Sequence, residues 1–406
     1  MVWFGSIRNS THSVALVWSL VWGAGVSGVC VGMVGCDSND PGSAAWSLAN
    51  TPDSDGVYHV HPGQEIQLAL NRAAADPNNK TVRVHAGTYR PRKMVQAFIW
   101  LNRMHDGITL EAQGDVILTA VNEKVADVSQ GFPAVVNHVV YFGDGISDRT
   151  IFRGFRITGA NHFVTKDKAA EPMEPSLNTP GLEASMFYYA DGGGIKIFGR
   201  SYPKILDVEV YDNYSSPCGA GVSVEHRGFN DRAVTFQNCV FRGNRCQITG
   251  SAVDLLPGSA ALLENCLFVG NVSNTGQADV GTPADHNGDR GSGALTVFGE
   301  SSVTVKRCTF TGNWNGADDK GQQNVYSDTI FWSNNRSGGI YTGQRYELDI
   351  LDASRVSGCC LGGGLEDPRG VIDPGRNTLD APDPDFDPEF RPRNARYENI
   401  GYRPVD

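Results

Sequence analysis

Two carboxylates, Glu225 and Asp254, sit in two similar segments, GAGVSVE from Gly219 and GSAVDLL from Gly250. Aligning the segments puts Asp254 level with Ser223, two residues before the level of Glu225. If the segments are adjacent strands, strand rise and strand spacing put the two carboxyl groups about 8 Å apart. That falls inside the roughly 6.5 to 9.5 Å that inverting glycosidases use. Lys196, in GGGIKIF from Gly192, lies diagonally across from Glu225, and His226 and Arg227 follow on the adjoining turn. A lyase needs a cation near a uronate carboxylate and a base at the neighbouring carbon, and Lys196, Arg227 and His226 are the right residue types. The plainer reading is that outward charges on a sheet are solvated or form cross-strand pairs of little value. His226 read that way is an ordinary turn residue.

Both readings depend on a two-part pattern that recurs along the chain. Its first part is a small-residue turn followed by alternating apolar residues: GGGIKIF, GAGVSVE, GSAVDLL, GSGALTVF from Gly291 and SGGIYTG from Ser337. Its second part is PKILDVEVYDN from Pro203, AVTFQNCVFRGN from Ala233, ALLENCLFVGN from Ala261 and SVTVKRCTFTGN from Ser301, with weaker copies at Arg149 and Gly107. The steps from Ile195 to Val208, Val253 to Cys266 and Leu295 to Cys308 are equal. Alternation over three to five residues means short strands, and breaks such as Gln237-Asn238 are too tight for hairpins. An all-β right-handed parallel β-helix of three short strands per turn follows, each turn burying its apolar positions against the next.

Stacking in register turns equivalent residues into columns. Cys239, Cys266 and Cys308 share an inward slot with Val208, where free Cys acts as a small hydrophobe. Asn238 and Asn265 form one turn column, and Asn213, Asn244, Asn271 and Asn313 another, both structural because Asn tolerates left-handed backbone and bonds neighbouring main chain. Alternation sends Lys196, Ser223, Asp254, Thr296 and Tyr341 outward in one column and Phe198, Glu225, Leu256 and Phe298 in the next. A third column, Gly194, Gly221, Ala252, Ala294 and Gly339, is small enough for a ligand or loop to come close. The inserts at residues 161–191, 272–290 and 314–336 follow the same place in successive repeats and are expected to wall a groove, with Glu225 to Arg232 on its other side. Ser223, Thr296 and Tyr341 would then contact substrate, with Phe198 and Phe298 offering faces to sugar rings.

The segment QEIQLALNRAAA from Gln64 has Ile66, Leu68, Ala69 and Ala73 on one helical face, suiting a helix that closes the N-terminal end. The longer stretch GQEIQLALNRAAADPNNKTVRVHAGTYRP resembles the opening of proteins with the pectin-lyase-type β-helix, where a cap helix leads into a first strand and a Gly-Thr-Tyr turn. TIFWSNN from Thr329 and NTLDAPDPDF from Asn377 are similar to closing segments of a bacterial surface subgroup often labelled by choice of anchor. The resemblance spans about residues 56–400. It implies the fold and a place at the cell surface, but no catalytic residue, since no match appears to the calcium-site acids and Arg of pectate lyases or the paired Asp of polygalacturonases. The closing Gly-Ser-Pro-Ile-Asp-like segment of that subgroup has no counterpart in ARYENIGYRPVD.

The chain has 406 residues, 40% of them hydrophobic and 19% charged, with 48 Gly, so a folded body with many tight corners is expected. A net charge of -11 argues against nucleic acid. Residues 1–36 read as an export signal: Arg8 precedes an apolar run from Val14 to Val34, and Cys36 is placed for lipidation. Ordinary secretion and an uncleaved membrane anchor remain the alternatives. Residues 37–55 form a flexible tether, 56–376 the β-helix and 377–406 a C-terminal cap or tail. Cys218 and Cys246, on successive loops, could bridge. Asp279, Asp285, His286 and Asp289, and Asp318 and Asp319, lie in acidic inserts that could take Ca²⁺, although solvated loop charge explains both, and DPDFDPEF from Asp383 reads as a Pro-punctuated tail before it reads as a metal site. A monomeric cell-envelope protein that binds polysaccharide, as a lyase, a hydrolase or a binding module, is one expectation; a non-catalytic adhesion or scaffold protein is the other.

Overall fold

Short alternating runs ended by residues that accept positive φ fold into short strands and corners. The computed structural model describes residues 51–125, 134–166, 174–215, 218–273, 275, 293–334, 346–363 and 372–405. Two long sheets dominate it, and every pair of named strands is parallel, each partner coming from the next or the preceding repeat. One sheet has eight strands: Val95–Leu101, Val136–Phe142, Ile195–Phe198, Val222–Glu225, Val253–Leu255, Leu295–Val297, Ala317–Asp319 and Leu348–Ile350. The other has sixteen strands, to which each repeat from Lys204 on gives a pair such as Lys204–Leu206 and Glu209–Tyr211.

Between the two strands of each pair stands one left-handed residue: Asp207, Asn238, Asn265, Arg307 and Asp328, with φ of 50 to 56°, then Gly358 at 67°. The expected Asn238 and Asn265 column is therefore a corner column. Asn265 Nδ2 donates to Asn238 Oδ1 (2.9 Å), and Asn238 Nδ2 to Asp207 Oδ1 (2.9 Å).

The interior follows the predicted columns and extends them. Cys239, Cys266 and Cys308 are buried in one file that continues to Cys359, while Cys360 points the other way, against Ala381 and Tyr397. Phe241, Phe268, Phe310 and Phe331 stack with centroids 4.9, 4.2 and 4.7 Å apart, the spacing of adjacent strands. Asn213, Asn244, Asn271 and Asn313 form a buried ladder that runs on to Asn334. Each Nδ2 donates to the Oδ1 of the next, and each Oδ1 also accepts the backbone N–H of the one before it. The ladder ends on the carboxylate of Glu347, which accepts from Asn334 N (3.2 Å) and Nδ2.

Burial pushes the Glu347 carboxyl up to about 7, against the pull of the Asn334 hydrogen bonds. A raised folded-state value gives stability that is full below the unfolded value near 4.5 and lost as pH rises through 7. Wild type minus Glu347→Gln stability is expected to fall by about 2 to 3 kcal/mol between pH 4.5 and pH 8. Urea unfolding at those two pH values checks it; a constant difference would remove Glu347 as the titrating rung.

Several expectations change. The stretch read as an insert at 314–336 holds the strands Ala317–Asp319, Val325–Ser327 and Ile330–Trp332, a complete repeat. Its Pro-free alternation was masked by charge, because Asp318 and Asp319 occupy strand positions. Register gives Thr296 the neighbour Asp318, and Asp318 the neighbour Asp349. The slot assigned to Tyr341 thus belongs to Asp318; Tyr341 itself lies outside the described residues, with Gly339. The small column is interior and not a ligand approach: Ala252 and Ala294 belong to the core, and a Cβ on Gly194 would meet Val210 Cγ1 at 2.8 Å. Cys218 and Cys246 are free thiols, not a bridge.

The helix Ile66–Ala75 buries Ile66, Ala69, Leu70 and Ala73 on the first strands, with Leu68 half-buried. At the other end, residues 377–381 add a further parallel rung, Thr378 N donating to Cys359 O and Ala381 N to Leu361 O (both 2.9 Å), and residues 382–405 run back along the outside of the sixteen-stranded sheet. Thr378 bridges Cys360, Tyr402 N donates to Thr309 Oγ1 (2.9 Å), and Arg403 N donates to Asn265 Oδ1 (2.8 Å).

Candidate functional site

The turn glycines set the outward residues of the eight-stranded sheet. Gly219 and Gly250 have φ near 60°, and each curls over the residue four positions on. A Cβ on Gly250 would stand 2.4 Å from Asp254 Oδ1, so only Gly leaves room for that carboxylate. Pairing puts Lys196 beside Ser223 and Ser223 beside Asp254, with Asp254 beside Thr296. Glu225 pairs with Phe198, one repeat away from Asp254 and two residues along, as alignment requires.

These residues come together, but not on an open surface. Lys196, Ser223, Asp254, Thr296 and Phe198 are fully buried and Glu225 is 3% exposed. The chain from Glu174 to Asp191, expected beside the sheet, lies across it. Leu182, Tyr188 and Tyr189 pack with Trp100, Tyr141 and Phe198 in a second apolar cluster, which draws this segment down onto the sheet. Lys196 Nζ contacts Glu225 Oε2 (2.8 Å) and donates to Phe187 O (3.0 Å) and Ser223 Oγ (3.1 Å). Arg227 reaches Glu225 Oε1 (3.1 Å) and Glu183 O (3.2 Å). His226 is buried with both ring nitrogens engaged, Nε2 on Ser201 O (2.9 Å) and Nδ1 on Ala260 N (3.1 Å), and burial pushes it down to about 4. It fastens a corner and is not placed to shuttle protons. Phe298 is half-buried.

Two side chains go beyond the expected set. Next to Asp254 stand Asp191 and Cys218, and one ligand atom from each of the three lies within 4.8 Å of the others. Cys218 N donates to Asp191 Oδ1 (3.2 Å), and Thr249 Oγ1 to Asp254 Oδ1 (3.3 Å). Burial pushes Asp191 up to about 8 and Asp254 well above the usual carboxylate range, with Lys196 pulling both the other way. Sequence reading passed over Asp191 and weighed Cys218 only for a bridge to Cys246. Their signal is positional: Asp191, Cys218 and Thr249 each stand directly before a turn glycine, Gly192, Gly219 and Gly250.

Asp318 and Asp319, one of the pairs considered for Ca²⁺, have protein partners. Asp319 accepts from Gly321 N (2.9 Å) and Tyr326 OH (2.8 Å), and Lys320 bridges Asp318 (3.3 Å) and Asp349 (2.7 Å). Asp279, Asp285, His286 and Asp289 lie outside the described residues, as does Cys36. In the Asp383 run, Asp387 pairs with Arg391 (2.7 Å).

A cavity of about 600 Å³ opens at the N-terminal end of the same eight-stranded sheet. Trp100 and Phe98 line it, with Arg90, Arg92, Lys93 and Gln67, while Lys196, Glu225 and Asp254 do not. Three cations face one carboxylate there, Glu65, which pairs with Arg92 (3.2 Å). Trp100 stacks on Tyr141 at 4.1 Å, and its buried indole N–H has no hydrogen-bond acceptor among the described residues. No helix among the described residues is long and apolar enough to cross a membrane. No protein-family model, no curated protein and no solved structure matches this chain.

Proposed function

We propose that the protein is an exported, monomeric cell-envelope protein with a right-handed parallel β-helix body that binds acidic polysaccharide. The observation that carries the reading is the cavity at the N-terminal end of the eight-stranded sheet, where Arg90, Arg92 and Lys93 share the wall with the half-buried ring of Phe98 on a chain of net charge -11. Aromatic faces suit the apolar sides of sugar rings, and clustered cations suit uronate or sulfate groups. A volume of about 600 Å³ is in the range of small-ligand sites, enough for the end or one bend of a chain. Strands pairing one repeat apart throughout both sheets support the β-helix. The apolar run before Cys36 supports export and a lipid anchor, with secretion as its alternative.

The burial of Lys196, Glu225 and Asp254 favours a second reading, a non-catalytic adhesion or scaffold protein. Calorimetric titration of the purified protein with polyuronides, sulfated glycans and neutral glucans separates the two. Acidic chains are expected to bind, and Lys93→Ala combined with Phe98→Ala to weaken them at least tenfold, about 1.4 kcal/mol. Unsaturated-uronate absorbance in the same mixtures would identify a lyase, and new reducing ends without it a hydrolase. No binding across the panel sinks the polysaccharide reading and leaves the scaffold.

A further inference from the structure

We infer that Asp191, Cys218 and Asp254 form a buried zinc site that ties three successive repeats together. Three residues from three separate segments converge: Asp191 after the short helix Met186–Ala190, Cys218 before the strand Val222–Glu225, and Asp254 on the strand Val253–Leu255. All three are buried, Asp191 and Asp254 at 0% exposure and Cys218 at 5%. Asp191 Oδ2 and Asp254 Oδ2 are buried oxygens without a hydrogen-bond partner among the described residues. An orphaned buried carboxylate oxygen costs free energy unless something positive meets it. Two of them beside a thiol in one cluster call for a cation.

Lys196 stands close by, but its ammonium is committed to Glu225 (2.8 Å), Phe187 O and Ser223 Oγ and donates to neither Oδ2. The donor set selects among metals. A thiolate with two carboxylates suits Zn²⁺, whereas Ca²⁺ and Mg²⁺ require all-oxygen shells. Zinc bonds of about 2.0 to 2.3 Å place tetrahedral ligand atoms roughly 3.3 to 3.7 Å apart. The site, with its ligand atoms within 4.8 Å of one another, needs only a small contraction. The surrounding hydrogen bonds already orient the ligands: Cys218 N holds Asp191, and the Thr249 hydroxyl holds Asp254. Among the described residues only three ligands of these types converge, which leaves the fourth position to a neutral oxygen. The full burial of the ligands makes the site structural.

The test uses the purified protein stripped of metal and refolded with Zn²⁺, Co²⁺, Mg²⁺ or Ca²⁺. One equivalent of Zn²⁺ or Co²⁺ per chain is expected, with Mg²⁺ and Ca²⁺ not retained. Zn²⁺ should raise Tm by about 5 °C. The Co²⁺ form should show a sulfur-to-cobalt charge-transfer band that Cys218→Ser abolishes and Cys308→Ala, in the core file of the other sheet, keeps. Asp254→Asn should cost at least tenfold in Zn²⁺ affinity. X-ray absorption at the zinc edge of the wild type reads the site even if a variant does not fold, and one sulfur ligand at about 2.3 Å is expected. Substoichiometric metal, a shell without sulfur, or a charge-transfer band that survives Cys218→Ser overturns the assignment. None of these readouts depends on polysaccharide binding.

Discussion

Glu225→Gln is expected to lower the unfolding free energy by about 3 to 5 kcal/mol, the usual cost of breaking a buried ion pair from one side. The amide keeps the shape but removes the one carboxylate among the described residues in ion-pair contact with Lys196, whose ammonium is fully buried. Its other partners, Phe187 O and Ser223 Oγ, are neutral, so the cation would have to lose its proton or draw the covering segment apart. Lys196→Met with Glu225→Gln should recover part of the loss, since neither charge then stays in the sheet. Urea unfolding of the two single variants and the double gives the coupling energy. Additive losses of under about 1 kcal/mol each would mean that water reaches the pair and that the covering segment does not seal it.

The asparagine ladder is expected to be as sensitive. Asn271→Ala removes four hydrogen bonds: those its Oδ1 accepts from Asn244 N and Nδ2, and those its Nδ2 donates to Phe241 O and Asn313 Oδ1. Each buried group left without a partner costs about 1 to 3 kcal/mol, so a total near 4 kcal/mol is expected. Asn238→Gly makes a sharp contrast. Asn238 is half-buried at φ 56°, a conformation Gly adopts freely, so its loss should stay within about 1 kcal/mol. Thermal unfolding of both variants checks the pair, and equal losses would mean that the ladder is no more than a set of turn residues.

Much of the strand stacking was legible because register makes columns, and columns show in a sequence once repeats are aligned. The file of cysteines, the asparagines and the alternation that sends Lys196 and Asp254 to one face could all be read from single residue types. What alignment cannot show is what lies over a face. The covering segment carries Leu182, Tyr188 and Tyr189, and its destination depended on Trp100, Tyr141 and Phe198 forming an apolar patch across three repeats. Sequence reading assigned Phe198 to sugar contact and left the other two aside. The repeat at Ala317–Asp319 was missed for a different reason: Asp318 and Asp319 look like loop acids until Lys320, Tyr326 and Tyr346 are seen to satisfy them.

A chain of stacked repeats ordinarily frays from its ends, because each layer is held only by its neighbours. Here the return of residues 382–405 across the outside fastens the last layers to earlier ones through Thr309 and Asn265. The final layer cannot melt alone; its loss first requires peeling a strip anchored several layers inward. Hydrogen exchange near Cys360 should therefore keep pace with exchange near Cys308, and a chain ending at residue 381 should separate the two.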